Sequence, residues 1–366
     1  MMPQITLRSC LAGIPGRVPY VREAIKLTLR SWLHRGSTRN WLRHLNSHPA
    51  FGELVAACPR LILKIYRPYL SNTMTCKQRL GLLMAHYRFV FNNGLGPIVT
   101  QAARGAVVLA RFSGKSGTEY QIQLRAIDIF EREGDLILQL TGGGQLIYSV
   151  VFSFFQGEQA PVVGIGCMQG PRGEGGLELI REATRDLHGL RPKNLMVRLV
   201  RQLGHDFGCK ELHLVGNRNR TVRSATRQGK VHADYDSVWQ EMGARTRANG
   251  DFEIACENLP VPVMDDIPSK KRSEVRKRHA MLEALLQSVH ACLMAARGDS
   301  SPAAVPALTA PPGMGLEVPP RNAGLPLAPD SDRPGWGRPG LAAMASEERR
   351  LTARPHPLTA FGPRAY

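Results

Sequence analysis

The sequence lacks most of the features that would name a chemistry. Its seven cysteines, Cys10, Cys58, Cys76, Cys167, Cys209, Cys256 and Cys292, form no Cys-x-x-Cys pair and have no histidine at ligand spacing, so neither a disulfide framework nor a metal site is predicted. No apolar run approaches the roughly 18 residues of a membrane span, and the first twenty residues hold no apolar stretch of signal-peptide length. The expectation is therefore a cytoplasmic chain without a transmembrane segment. No Ser/His/Asp constellation is legible. Acidic residues are scarce, 30 Asp and Glu against 48 Lys and Arg, and the net charge is +18. Such a balance favours an anionic partner, whether a phospholipid surface, a phosphorylated ligand or RNA, with plain solubilising charge as the alternative.

The basicity is uneven. Residues 1–45 carry eight Lys/Arg against the single Glu23, whereas the stretch from Gly298 to the end is nearly neutral and holds 13 of the 26 prolines without any sustained apolar period. Three parts are predicted: a basic, partly helical N-terminal extension over 1–45, a folded domain over 46–297, and a Pro-rich disordered tail over 298–366. In the first part Ile25, Leu29, Trp32 and Leu33 recur at helical spacing among Arg22, Lys26, Arg30 and Arg35. This is either a basic amphipathic helix on an anionic membrane, peripheral at the inner membrane, or a helix packed on the domain.

The domain's organisation is clearest between Pro161 and Asn217. Val162, Val163 and Ile165 suit a strand buried on both faces. A loop containing Gln169, Gly170, Arg172, Gly173, Gly175 and Gly176 follows, with glycines for close approach and positive φ, and a helix starts where the glycines stop. A second helix is predicted from Pro192 to Gly208, and then a returning strand around Leu212, Leu214 and Val215. Upstream, the punctuated helical pattern of 48–94 gives way to period-two strands in 105–140 and to the fully apolar strand 146–155, expected beside the strand at 162–168. The fold class is α/β (α+β): a mixed, largely antiparallel central sheet with flanking helices.

The phrases HYRFV (86–90), EREGDL (131–136), IGCMQGP (165–171), DLHGLRPKNL (186–195), DYDSVWQEMG (234–243) and SKKRSEVRKRHAML (269–282) resemble the VirK/YbjX family of bacterial proteins over roughly residues 46–293. That resemblance implies a role in virulence-factor expression or localisation, or in envelope resistance to antimicrobial peptides, and it implies no reaction. Separately, the strand, glycine loop and helix are similar to the acetyltransferase-like fold, in which loop amides hold the pyrophosphate of an acyl carrier. The loop departs from that pattern at Leu177, and Glu174 sets a negative charge in it. An acyl-CoA or similar donor bound by the loop, with acyltransferase-like chemistry, is the alternative this implies; an RNA-binding regulator is the second.

The polar clusters supply the remaining candidates. His188 is the first choice for acid/base work; Tyr235 and Asp236, in a separate cluster, are further catalytic candidates, although Tyr235 and Trp239 at i, i+4 equally well staple a short helix. Arg191 and Lys193 crowd a helix-helix corner as an anion clamp or as turn residues. Lys270, Lys271, Arg272 and Arg276 open a helix whose apolar residues come only later, which predicts a docked C-terminal half and a cationic N-terminal arm. His86, next to the apolar face of its helix, is expected to be a core or boundary residue.

Overall fold

The computed structural model describes residues 4–11, 14–127, 132–171, 173, 175–221 and 233–298. The tail expected from 298 onward, together with Arg172 and Glu174 of the glycine loop, therefore lies outside the described residues apart from Gly298 itself.

Among the described residues five helices precede the first strand: α1 (Arg17–Leu33), α2 (Arg35–Leu45), α3 (Ala50–Ala57), α4 (Cys76–Asn92) and α5 (Gly96–Arg104). Pro59 and Pro68 break the chain after α3, so 59–66 makes only a 3-10 turn. Helix α4 starts at a capping box: Thr75 Oγ1 accepts from Gln78 N–H, and the Gln78 side chain accepts from Thr75 N–H. The segment expected as an extension joins the common core, to which it contributes Leu27, Trp41 and Leu45.

Among the described residues the sheet has eight strands, whose order in space follows the sequence except that the last two exchange places. Strands β1 (Val107–Ser113), β2 (Glu119–Ala126), β3 (Leu136–Gly142), β4 (Gln145–Gln156) and β5 (Pro161–Gln169) form an antiparallel meander. Tyr120, Ile122 and Leu124 alternate inward on β2, while β4 is buried along almost its whole length, as its apolar sequence predicts. Helices α6 (Gly176–Asp186) and α7 (Pro192–Asp206) then cross over to β6 (Glu211–Leu214), which is parallel to β5, the one parallel pair among the described strands. Beyond it come α8 (Tyr235–Glu241), the edge strand β7 (Arg245–Thr246), β8 (Phe252–Ala255) and the long helix α9 (Ser269–Gly298). The result is the mixed, largely antiparallel α/β sheet with flanking helices that the period changes predict.

Two geometric features position the site. Strand β5 bulges opposite Val151 and Phe152, at Gly166, where an added Cβ would lie 2.0 Å from the Glu133 carbonyl oxygen. Strands β5 and β6 also pair only from Val162↔Glu211 to Ile165↔Leu214, so from Gly166 to Gln169 β5 keeps β4 on one side and has no β6 on the other.

Candidate functional site

At the end of β5 the chain turns through the glycine loop into α6. The glycines serve different needs from one another. Gly173 takes φ +94°, the left-handed region that favours glycine, whereas a Cβ on Gly170 or Gly176 would press on Ile180 or on the Pro171 carbonyl. Gly175, at φ −75° with open space around it, has neither requirement. Among the described residues no side chain caps α6, and Gly173 carbonyl oxygen accepts from Gly176 N–H. The first turn of α6 thus presents the positive end of its dipole beside the loop. Along the same helix runs an open groove of about 610 Å³ lined by Glu178, Ile180, Arg181, Thr184, Arg185 and, from the next turn, Arg191. Glu178 pairs with Arg181 and Arg185 at 3.3 and 2.9 Å, which leaves an excess of guanidinium charge in the groove.

The corner between α6 and α7 is formed by His188 and Gly189, both left-handed at φ +51° and +76°. A histidine in this conformation is uncommon, and here it ends α6. Arg278 from α9 reaches the His188 carbonyl oxygen at 3.5 Å. Two residues earlier, Asp186 holds the β1–β2 turn by accepting from Ser116 N–H at 2.6 Å and from the Tyr120 hydroxyl at 2.8 Å. Burial would raise its carboxyl, but those hydrogen bonds and the nearby His188 hold it below the ordinary carboxylate value. Arg191 and Lys193 meet one anion already: Glu241, at the end of α8, accepts from both at 2.5 and 2.7 Å.

Tyr235 and Asp236 lie elsewhere, in the gap where β6 leaves β5. The Tyr235 hydroxyl accepts from Met168 N–H at 2.7 Å and donates to the Met168 carbonyl at 2.9 Å, standing in for the missing neighbouring strand. Its ring is buried under the Arg220 guanidinium at 4.0 Å, and burial lifts its phenol well above the ordinary value. Asp236 accepts from Asn217 N–H at 2.8 Å, and Asp234 caps α8. The Trp239 indole donates to Val215 carbonyl at 3.0 Å. Tyr235 thus bonds to the end of β5 and Asp236 to Asn217 just past β6, whereas the His188 carbonyl accepts from α9.

Helix α9 docks Leu282, Leu285, Val289 and Leu293 into the core, while Lys270, Lys271 and Arg276 are exposed on its N-terminal half; Arg272 is half-buried against the Ile267 carbonyl. Among the described residues, Glu211, His213 and Glu253 bring potential metal-ligand atoms together. Arg247 already sits there, 2.8 Å from His213 Nε2 and bonded to Glu253, so the place of a cation is taken by a guanidinium.

Of one polar cluster sequence reasoning placed only His86, as a core or boundary residue, and His86 is indeed fully buried. Lys64, from the 3-10 turn, donates to Asp135 Oδ1 at 2.7 Å and to the Gly134 carbonyl at 3.1 Å, with both partners almost fully buried. Tyr87 donates to the same oxygen at 2.9 Å, Tyr69 donates to Asp135 Oδ2, and Ser153 lies 2.8 Å from the Tyr69 hydroxyl. Burial would raise Asp135, but the Lys64 ammonium, His86 and the donated hydrogen bonds bring its carboxyl down to about 2. Tyr69 and Tyr87 are driven well above the ordinary tyrosine value, by burial first and then by the Asp135 charge. His86 Nδ1 accepts from Phe154 N–H at 3.1 Å, and burial lowers this imidazole to about 4. The network ties α4, the 3-10 turn and strands β3 and β4 together, and it holds a charge pair with both partners almost wholly buried. Its signals in the sequence were HYRFV and EREGDL, which contain His86, Tyr87 and Asp135; nothing in the spacing joins them to Lys64.

Uncharacterized protein YbjX of Escherichia coli (strain K12) is 27% identical over 265 residues, covering 71% of this chain and 80% of that protein. An uncharacterized protein of Haemophilus influenzae is 25% identical over 266 residues, covering 72% and 87%. Membrane protein LapB of Mannheimia haemolytica is 27% identical over 199 residues, covering 54% and 84%. Among solved structures, a cAMP-binding acyltransferase from Mycobacterium smegmatis overlaps 62% of this chain and 63% of that one at a TM-score of 0.28 and 11% identity, too remote to bear on activity. The family model described as Protein of unknown function (DUF535) matches residues 17–291, from the start of α1 to within α9. With that match across most of the chain and YbjX among its relatives, the protein belongs to the DUF535 family, the family of VirK and YbjX.

Proposed function

We propose that the protein is a VirK-like envelope-support protein, peripheral at the inner membrane, whose α/β domain binds a phosphate-bearing anionic ligand along α6. The observation that carries the reading is the adjacency of an uncapped α6 N-terminus, behind a glycine loop, to an arginine-lined groove of about 610 Å³. Free amides at a helix start, a dipole end and guanidinium groups together favour phosphate oxygens. The name of one relative, Membrane protein LapB, supports the membrane part of the reading, and a role in virulence-factor localisation or antimicrobial-peptide resistance accords with it.

A second reading, acyl transfer from an acyl-CoA-like donor, draws on the length of β5 that β6 leaves uncovered beside that loop. A donor arm lying there displaces the Tyr235 hydroxyl from Met168. Thermal melts of the full chain with acyl-CoA, free CoA and inorganic pyrophosphate test both readings. Ligand at a hundredfold excess over its Kd adds about 2.7 kcal/mol to native stability. Stabilisation by all three, lost in Arg181→Gln/Arg185→Gln and in Arg172→Glu/Gly175→Asp, supports an anion site, and stabilisation unchanged in both variants sinks it. Thiol release from acyl-CoA by the wild type favours the transferase. Binding of single-stranded RNA with a steep salt slope, and none of the three ligands, favours a regulator acting through the α9 arm.

A further inference from the structure

Helix α1 presents a face that the domain does not use. Among the described residues eleven large hydrophobic side chains are exposed, and seven of them, Val18, Tyr20, Val21, Ile25, Leu29, Trp32 and Leu33, lie on this one 17-residue helix. Clustering of that kind marks an interaction surface, whereas singly scattered exposed apolar residues do not. At about 100° per residue, Val18, Val21, Ile25, Leu29 and Trp32 fall on one stripe, and Leu27, the buried residue of the helix, points the opposite way into the core. Ile25, Leu29 and Trp32 are 64%, 56% and 62% exposed.

The charges decide what covers that stripe. Arg22, Lys26 and Arg30 run along one flank at i, i+4, i+8, and Arg17 lies on the other flank. The lone acid, Glu23, is half-buried on the side away from the stripe, where Lys26 reaches it at 2.9 Å. Apolar stripe, cationic flanks and a tryptophan near one end match the boundary between acyl chains and anionic headgroups, where such helices lie in the plane with the apolar face some 5–10 Å deep. At about 25 Å in length α1 does not span a bilayer, and among the described residues no helix is long and apolar enough to do so. The α9 arm offers cations without exposed large hydrophobics, so it adds attraction but no insertion.

We infer that α1 is the membrane-contact element: it docks in-plane on an anionic phospholipid surface through Val18, Val21, Ile25, Leu29 and Trp32, flanked by Arg17, Arg22, Lys26 and Arg30. This rests on the peripheral-membrane part of the proposed function and is independent of the α6 groove.

The test is co-sedimentation of the full chain with vesicles of phosphatidylcholine containing phosphatidylglycerol, and with phosphatidylcholine alone. The wild type is expected to bind the anionic vesicles, more weakly as salt rises. Ile25→Gln/Leu29→Gln/Trp32→Gln lowers the partition coefficient by at least about tenfold. Arg22→Gln/Lys26→Gln/Arg30→Gln lowers it by roughly a hundredfold on anionic vesicles only, each cation near such a surface being worth about fivefold. All six positions are outside the core, so melting temperatures stay at the wild-type value. A second readout leaves the helix intact: in a Trp336→Phe background the emission of Trp32 shifts to the blue on anionic vesicles, because Trp41 and Trp239 are already buried.

Wild-type binding that survives the apolar triple variant overturns the assignment to α1 while leaving the peripheral-membrane reading intact; loss of binding on neutralising the α9 cations alone would then locate the contact there. No binding by the wild type overturns the membrane reading itself. Dissociation of an oligomer by the apolar variant without lipid would show that a second copy covers the stripe, and would also overturn the inference.

Discussion

Acidification should unfold this protein through two buried imidazoles, and the effect can be worked from their surroundings. His86 is fully enclosed, with Nδ1 accepting from Phe154 N–H and, among the described residues, no partner for Nε2. His44 lies between Trp41 and Phe51, with no partner for either ring nitrogen among the described residues. Burial is the main cause of lowering in both, aided at His44 by Arg88, and each falls from 6.5 to about 4. A depressed folded-state value means that the unfolded chain binds more protons between about pH 6.5 and 4. Stability is therefore fully present above the unfolded value and is lost as pH falls towards the folded one. Integrating from pH 7.5 to pH 5 gives about 2 kcal/mol per histidine and about 4 kcal/mol for the pair, a large part of an ordinary domain's stability. Urea unfolding at the two pH values measures it: the wild-type midpoint should drop by more than about 1 M, since slopes for domains of this kind are of order 1–3 kcal/mol/M. In His44→Gln/His86→Gln most of that pH dependence should vanish, whatever the variant's stability at pH 7.5. An equal midpoint shift in variant and wild type would refute the reasoning.

Three further outcomes follow from named contacts. Lys64→Met leaves the Asp135 carboxylate buried without its cation and should cost about 3–5 kcal/mol by chemical denaturation, of which adding Asp135→Asn restores a substantial share. Gly166→Ala forces a methyl against the Glu133 carbonyl and should lower the melting temperature clearly, whereas Gly175→Ala, with ordinary φ and open space, should leave it within a degree or two. Tyr235→Phe removes the hydroxyl that satisfies Met168 N–H and carbonyl and should cost about 1–3 kcal/mol, read as a shift in urea midpoint; no change would mean that water replaces the hydroxyl at no cost.

Local pattern was enough wherever a residue's neighbours in sequence are also its neighbours in space. Period-two runs such as Tyr120, Ile122 and Leu124 fix β2 and its inward face, the apolar run 146–155 reads as a central strand, and Pro192 starts α7. The separation of charge from apolar residues along α9 likewise foretells a docked half and an exposed half. Short β7 and β8 and helix α5 went unread, because two to nine residues carry too little period to stand out from their surroundings.

The tertiary structure decided what each polar residue is for, since that depends on chain segments far apart in sequence. It set Lys64 on Asp135, 71 residues away, inside a core where an unpaired charge would be prohibitively costly. It sent Tyr235 to the uncovered backbone of β5, Arg191 and Lys193 to Glu241, and Asp186 to the β1–β2 turn. For α1 the sequence determined an amphipathic, basic helix and left open which way it faces. Only the packing of Leu27 against the domain turned Ile25, Leu29 and Trp32 outward, because a helix has one axis and burying one side exposes the other.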